Sequence, residues 1–282
     1  MANTAWERRL ASWSLEDIPW SRFDPAKVDP EILRIVKAAS LVERNGGDYA
    51  QYLCSVFADD AAFQAAARRW GDEEIQHGMA LGRWASLADP GFDHAAACAR
   101  FTAGFRVSLD AAASVRGSRA GELVARCIVE TGTSSYYTAI AEATGEPVLQ
   151  AICRRIAADE FRHYKLFYTH LQRYLDREGL GFWGRLRVAL GRIAESEDDE
   201  LAFAYHAANH PDLPYDRRRA AREYGRRAYA LVRAHHVERG IAMILKAVGL
   251  TPNGRLGRVA SRLAWWRVAR RARRLAQAAP AM

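Results

Sequence analysis

The 282-residue chain contains no run of 18 apolar residues free of charge, so its sequence offers no membrane-spanning helix. Behind Trp6, Glu7, Arg8 and Arg9 there is no apolar stretch of the kind that marks a secretory signal, and a cytoplasmic protein is expected. Cysteine is scarce. Cys54, Cys98, Cys127 and Cys153 stand far apart with no C-x-x-C pair, which argues against a disulfide framework or a thiolate metal module and for reduced thiols inside helices. Sustained period-two alternation is missing, so strands are not expected. No glycine-rich phosphate loop and no nucleophile triad occur. Proline (nine) and glycine (20) are few and clustered, at Pro19 to Pro30, Pro90-Gly91, Gly145 to Pro147, Pro211 to Pro214 and Pro252 to Gly254.

Between these breaks lie long Ala/Leu/Arg/Glu-rich segments with apolar residues at helical spacing. The pattern predicts an all-α protein with helices near 30–57, 60–88, 118–143, 146–177, 184–208, 215–249 and 256–277, and a further helical stretch within 93–113. Asp29-Pro30 opens the first with a capping residue followed by proline. Gly46-Gly47 weakens its middle, by about 1 kcal/mol per glycine. The expected organisation is an arm over 1–29, a bundle over 30–180, further helices packed on it over 181–254, and a basic amphipathic helix over 255–282.

Charge is distributed unevenly. Lys and Arg total 41 against 33 acidic residues, and eight arginines fall between Arg255 and Arg274 with no acid among them. Without those eight the chain is neutral, so a nucleic-acid function read from net charge would be misplaced. Leu256, Val259, Leu263 and Trp266 form an apolar stripe within this tail. Such a helix suits an anionic membrane surface or an acidic partner such as a carrier protein, as well as packing on its own bundle.

Two Glu-x-x-His motifs occur, Glu74-Ile75-Gln76-His77 and Glu160-Phe161-Arg162-His163. With 17 glutamates and eight histidines, composition alone would give about 0.5. Glu43 precedes Glu74 by 31 residues and Glu130 precedes Glu160 by 30. If each pair faces across an antiparallel hairpin, the turns fall near Asp59 and at Gly145, both credible turn sites. The halves repeat at an offset of 86 to 87 residues, which puts four carboxylates and two imidazoles at one level of a bundle. Each Glu and His at i and i+3 shares a helix face and can hold one metal, while Glu43 and Glu130 terminate or bridge the pair. Four carboxylates in a bundle core would repel one another without cations, and carboxylate with imidazole suits iron or manganese. Two Glu and two Glu-x-x-His form the ligand set of ferritin-like di-iron bundles.

The chain accordingly resembles the ferritin-like di-iron carboxylate superfamily, and within it the acyl-carrier-protein desaturases. The likeness lies in Trp70-Gly71-Asp72-Glu73-Glu74-Ile75-Gln76-His77-Gly78 and Ile156-Ala157-Ala158-Asp159-Glu160-Phe161-Arg162-His163, over roughly residues 35–175. It implies a ferritin-like four-helix bundle with additional C-terminal helices. It also implies a role in proton delivery for Thr133, three positions after Glu130. Gly132 to Tyr137 otherwise departs from that family, and Ile156 stands where related N-oxygenases carry an extra histidine. Glu73 and Asp159 are placed to support the histidine of the opposite half, and Arg162 to pair with one of these acids.

The expectation is an O2-dependent oxidase with two iron ions (Fe/Mn as the alternative), O2 as co-substrate and a separate electron donor. Its substrate would be an acyl chain or another small apolar molecule, desaturated or hydroxylated. Iron storage, rubrerythrin-like peroxide removal and a structural di-metal role are the competing readings. A homodimer is compatible with the sequence; a nucleic-acid partner is not expected. His235-His236 with Glu238 reads as core or surface, without partner carboxylates. Tyr136, Tyr137, Tyr164 and Tyr168 read as core or cavity lining, and Glu195 to Glu200 as a solvated helix start.

Overall fold

The computed structural model describes residues 13–195, 199–252 and 254–278. Residues 1–12 of the expected arm, 196–198 of the acidic run and the last four residues of the tail lie outside this set. Among the described residues the chain is all-α, with no strand.

Side-chain caps set where the long helices begin. Asp29 accepts from the backbone N–H of Glu31 (2.7 Å) and Ile32 to open α1, Pro30–Arg44. Asp60 accepts from Phe63 N–H to open α3, Ala61–Ala88, and Ser118 from Gly121 N–H to open α5, Arg119–Ala143. Glu146 takes the N–H groups of Val148 and Leu149 at the start of α6, Pro147–Glu178. Each cap satisfies donors that the first helical turn leaves without partners. The two turns fall at 57–60 and 144–146, on the midpoints of the glutamate pairs.

Three expected helices are interrupted. The segment 30–57 breaks at Asn45, which ends α1 and begins α2, Gly46–Val56. The break sits at a close approach of α1 and α2 to α3. A Cβ on Gly78 would lie 2.5 Å from the backbone N of Arg44, and one on Gly71 would lie 2.6 Å from Ala50 Cβ. The segment 184–208 divides into α7, Phe182–Ala194, and α8, Asp199–Asn209. The segment 215–249 divides into α9, Arg217–Leu231, and α10, Ala234–Val248. The Arg233 N–H freed by this third break is taken by His236 Nδ1 at 3.0 Å. Within 93–113 only α4, His94–Gly104, is helical.

The antiparallel pairs α1/α2–α3 and α5–α6 form the central bundle, with α8 against α1 and α10 against α5. Two apolar clusters fill it. One gathers Ile35, Trp84, Ile140 and Ile152; the other Phe57, Phe63, Leu123 and Phe167. In each of the four helical arms of the bundle the residues between these clusters are the polar ones singled out by spacing. The last helix, α11, Arg255–Gln277, lies on α9 and α10. Its buried positions are Gly257 and Leu275, so of the two directions left open for the apolar stripe, packing on the bundle or facing outward, the stripe takes the outward one.

Candidate metal centre

All six spacing-derived ligands are buried, none more than 7% exposed. Glu43 comes from the last turn of α1, Glu74 and His77 from α3, Glu130 from α5, and Glu160 and His163 from α6. They divide into two groups that share Glu74 and Glu160: Glu43, Glu74, His77 and Glu160; and Glu74, Glu130, Glu160 and His163. Within each group the ligand atoms lie no more than 4.8 Å apart. His77 Nδ1 is 3.3 Å from Glu160 Oε1, 3.5 Å from Glu74 Oε2 and 3.8 Å from Glu43 Oε2. His163 Nδ1 is 3.0 Å from Glu74 Oε1 and 3.6 Å from Glu130 Oε2. Glu43 and Glu130 therefore each belong to one group alone, and the glutamates of the two Glu-x-x-His motifs are the shared ones.

The neighbours fix which nitrogen faces the centre. His77 Nε2 lies 3.0 Å from Asp159 and His163 Nε2 lies 2.7 Å from Glu73, each acid coming from the opposite half of the chain. A carboxylate at Nε2 holds the hydrogen there and leaves the Nδ1 lone pair pointing inward. Arg162 donates to Asp159 and, at 3.4 Å, to Glu73, so it pairs with both acids where one was expected. Thr133 Oγ1 donates to Glu160 Oε2.

Two contributors escaped the sequence. The indole N–H of Trp13 donates to Asp159 at 2.8 Å, and its ring stacks 5.9 Å from that of His77. Gln76 Nε2, on α3, donates to the Trp13 carbonyl and so ties the arm down. Tyr137 donates its hydroxyl to Glu43 Oε1, a specific contact rather than cavity lining alone. No spacing rule links Trp13 to a residue 146 positions away. Tyr137 lies seven residues, two turns, beyond Glu130, a face relation that could have flagged it.

The electrostatics of the bare protein are strained. Burial, then the charge of Glu74, pushes the Glu43 carboxyl up to about 8. Burial and the neighbouring Glu160 raise Glu130 well above its ordinary range, and burial with Glu74 raises Glu160. For Glu74 burial acts upward too, but its contacts with Glu43 and the two nearby imidazoles outweigh it and hold the group well below its ordinary range. Burial likewise opposes the imidazolium forms of His77 and His163, and the surrounding carboxylates overcome it. His77 Nδ1, His163 Nδ1, Glu160 Oε1 and both Glu130 oxygens are buried without a hydrogen-bond partner. Buried polar atoms are rarely orphaned, and these converge on two points. The donor set, carboxylate with imidazole, fits two divalent cations such as iron or manganese.

A cavity of about 480 Å³ adjoins the cluster. Glu43, Thr133 and Tyr137 close its inner end, while Ile128, Ile241 and Ile244 are among the apolar residues of its wall. Arg192 and Ile193 of α7 and Ala264 and Val268 of α11 also line it.

A third acid–imidazole group corrects one expectation. His235 and His236 do have a partner carboxylate, Glu142 of α5, which lies 3.0 Å from the Nε2 of each. Because His236 Nδ1 accepts from Arg233 N–H, its Nε2 carries the hydrogen and donates to Glu142. That nitrogen has no lone pair to offer a metal. Among the acidic run, Glu195 receives both terminal nitrogens of Arg116, at 2.8 and 2.6 Å, instead of facing solvent alone. All four cysteines are free, and all lie in helices. No protein-family model and no curated protein matches the chain.

Proposed function

We propose that the chain is an O2-dependent di-iron oxidase of the ferritin-like kind, which desaturates or hydroxylates an apolar substrate, favoured as an acyl chain. One observation carries the reading: a buried cluster with orphaned ligand atoms meets, at Glu43 and Thr133, the end of an apolar cavity. Glu43, Glu74, His77 and Glu160 would hold one ion; Glu74, Glu130, Glu160 and His163 would hold the other. Two bound irons supply the redox chemistry needed to reduce O2 and attack an unactivated C–H bond, with electrons from a separate donor.

The protein's own contribution follows from its geometry. Glu73 and Asp159 hold the two imidazoles in the tautomer that turns Nδ1 inward, and Arg162 fixes both acids. Apolar cavity walls orient the substrate and keep water from the reacting carbon. The Thr133 hydroxyl, between Glu160 and the cavity, can hold a proton at Oγ1 and pass it on. Storage or peroxide removal would give no reason for an apolar cavity ending at the ligands.

Purified protein should bind about two irons per chain. A Glu130→Ala/Glu160→Ala variant, lacking one terminal and one shared ligand, should lose the pair. Reduced, iron-loaded protein mixed with O2 and acyl substrates should give an oxidised product in proportion to O2 consumed. Full metal occupancy in the double variant, or O2 uptake that yields only ferric mineral, overturns the reading.

A further inference from the structure

The cavity leads away from the cluster towards two helices with an uncommon surface. On α7, Trp183 is 77% exposed, and Leu190 and Ile193 share its face, at i+7 and i+10. On α11, Leu256, Val259, Leu263 and Trp266 are all between 50 and 61% exposed. At 100° per residue these four lie within an arc of about 80°. Buried Gly257 and Leu275 lie on the opposite side, with the cavity-lining Ala264 and Val268 beside them. Beyond Trp266 the same outer arc continues as Arg267, Arg270 and Arg274, and no acid occurs from Arg255 to Arg274. Arg270 stacks on Trp266 at 5.3 Å, which keeps a cation beside the most amphipathic ring of the stripe. No helix of the described residues is long and apolar enough to cross a membrane.

We infer that α7 and α11 form a docking face for an anionic lipid surface, on which the protein lies with the cavity between these helices turned towards the bilayer. A helix that exposes tryptophan and aliphatic side chains along one line, continued and flanked by arginines, matches the interfacial region of a membrane. The apolar groups enter the headgroup boundary and the arginines meet lipid phosphates. The charge complementarity is one-sided, because the tail carries the whole net charge of the chain. An acidic protein would answer the arginines but leaves the outward apolar stripe, and Trp183 on the second helix, without a role. Docking stands independently of the metal reading. Only its consequence rests on that reading: a substrate dissolved in the membrane would enter the cavity past Ile193, which is both exposed and part of its lining.

The test is sedimentation of the full chain with vesicles, at low and high salt, using pure phosphatidylcholine and a mixture with about one third phosphatidylglycerol. Binding is expected to the mixed vesicles at low salt, with little to the pure ones. Arg267→Gln/Arg270→Gln should bind about thirty-fold more weakly, each arginine near a charged surface contributing about fivefold. Leu263→Ser/Trp266→Ser, both at exposed positions, should keep the parent's circular dichroism and lose at least about tenfold in binding. Trp266 fluorescence, taken as the parent minus Trp266→Phe, should be quenched by lipids brominated near the headgroup. Failure to bind anionic vesicles, or vesicle binding unchanged in the Leu263→Ser/Trp266→Ser variant, overturns the inference. Retention by an acidic carrier protein with no vesicle binding overturns it equally. Iron content and O2 uptake are separate readouts, so either proposal can fail without the other.

Discussion

Thr133 is a test of how much one hydroxyl contributes. Its side chain donates to Glu160 and borders the cavity, and valine keeps its branched shape while deleting the O–H. Thr133→Val should retain the metal pair and fold, yet consume more O2 than it converts into product; unchanged coupling reduces Thr133 to packing. Asp159→Asn should act through the imidazole instead. It removes the negative charge and leaves one acceptor oxygen where His77 Nε2 and Trp13 share one carboxylate oxygen and Arg162 takes the other, and metal affinity measured by chelator competition should fall about 10- to 100-fold. At this scale much was legible from spacing alone. The six ligands follow from i, i+3 pairs and a repeat of 86 to 87, and Glu73 and Asp159 from adjacency to the motif glutamates. Trp13 was not legible, because its partner is fixed by how the arm folds back and not by any periodicity within the chain.

Helix packing at the cluster depends on missing side chains. A methyl at Gly78 would press on the backbone of Arg44, one residue from the Asn45 break and beside His77. Gly78→Ala should therefore destabilise by about 1–3 kcal/mol and reduce iron occupancy, measured by thermal unfolding and metal analysis. Gly132 is the useful contrast: it lines the cavity, and a Cβ there meets nothing within 4 Å. Gly132→Leu should fold and load metal normally but slow turnover of long apolar substrates more than short ones; equal rates on both would show that the cavity is not where substrate lies. The hairpin turns were readable because capping residues sit at them. The weak point at Gly46-Gly47 was also readable, and the helix breaks there, at Asn45, where α3 comes close. The break at Val232 was not, because the imidazole that caps Arg233 is placed only by folding. The α11 stripe had the right period but gave no direction, since amphipathicity alone does not say which side meets the bundle.

The whole molecule should report the cluster's charge through its pH dependence. Glu43, Glu130, Glu160, His77 and His163 all bind protons more tightly in the bare folded protein than in the unfolded chain. A native state that holds extra protons loses stability as pH rises through the raised range. Metal-free protein should thus unfold at lower temperature at about pH 8 than at about pH 6, and metal loading should release protons and flatten that slope. A metal-free form that grows more stable over this interval contradicts the assignment. Deleting α11 should not leave an intact remainder either, because Ala264 and Val268 line the cavity and Leu275 is buried. The crossed pairing of Asp159 with His77 and Glu73 with His163 has a bearing on ancestry. A lone hairpin of either kind has an imidazole whose acceptor resides in the other hairpin, so one copy could not have oriented its own ligand. Two identical hairpins related by a two-fold axis would have supplied each other's acceptors at once. The repeat within this single chain is what gene duplication and fusion of such a self-pairing ancestor would leave behind.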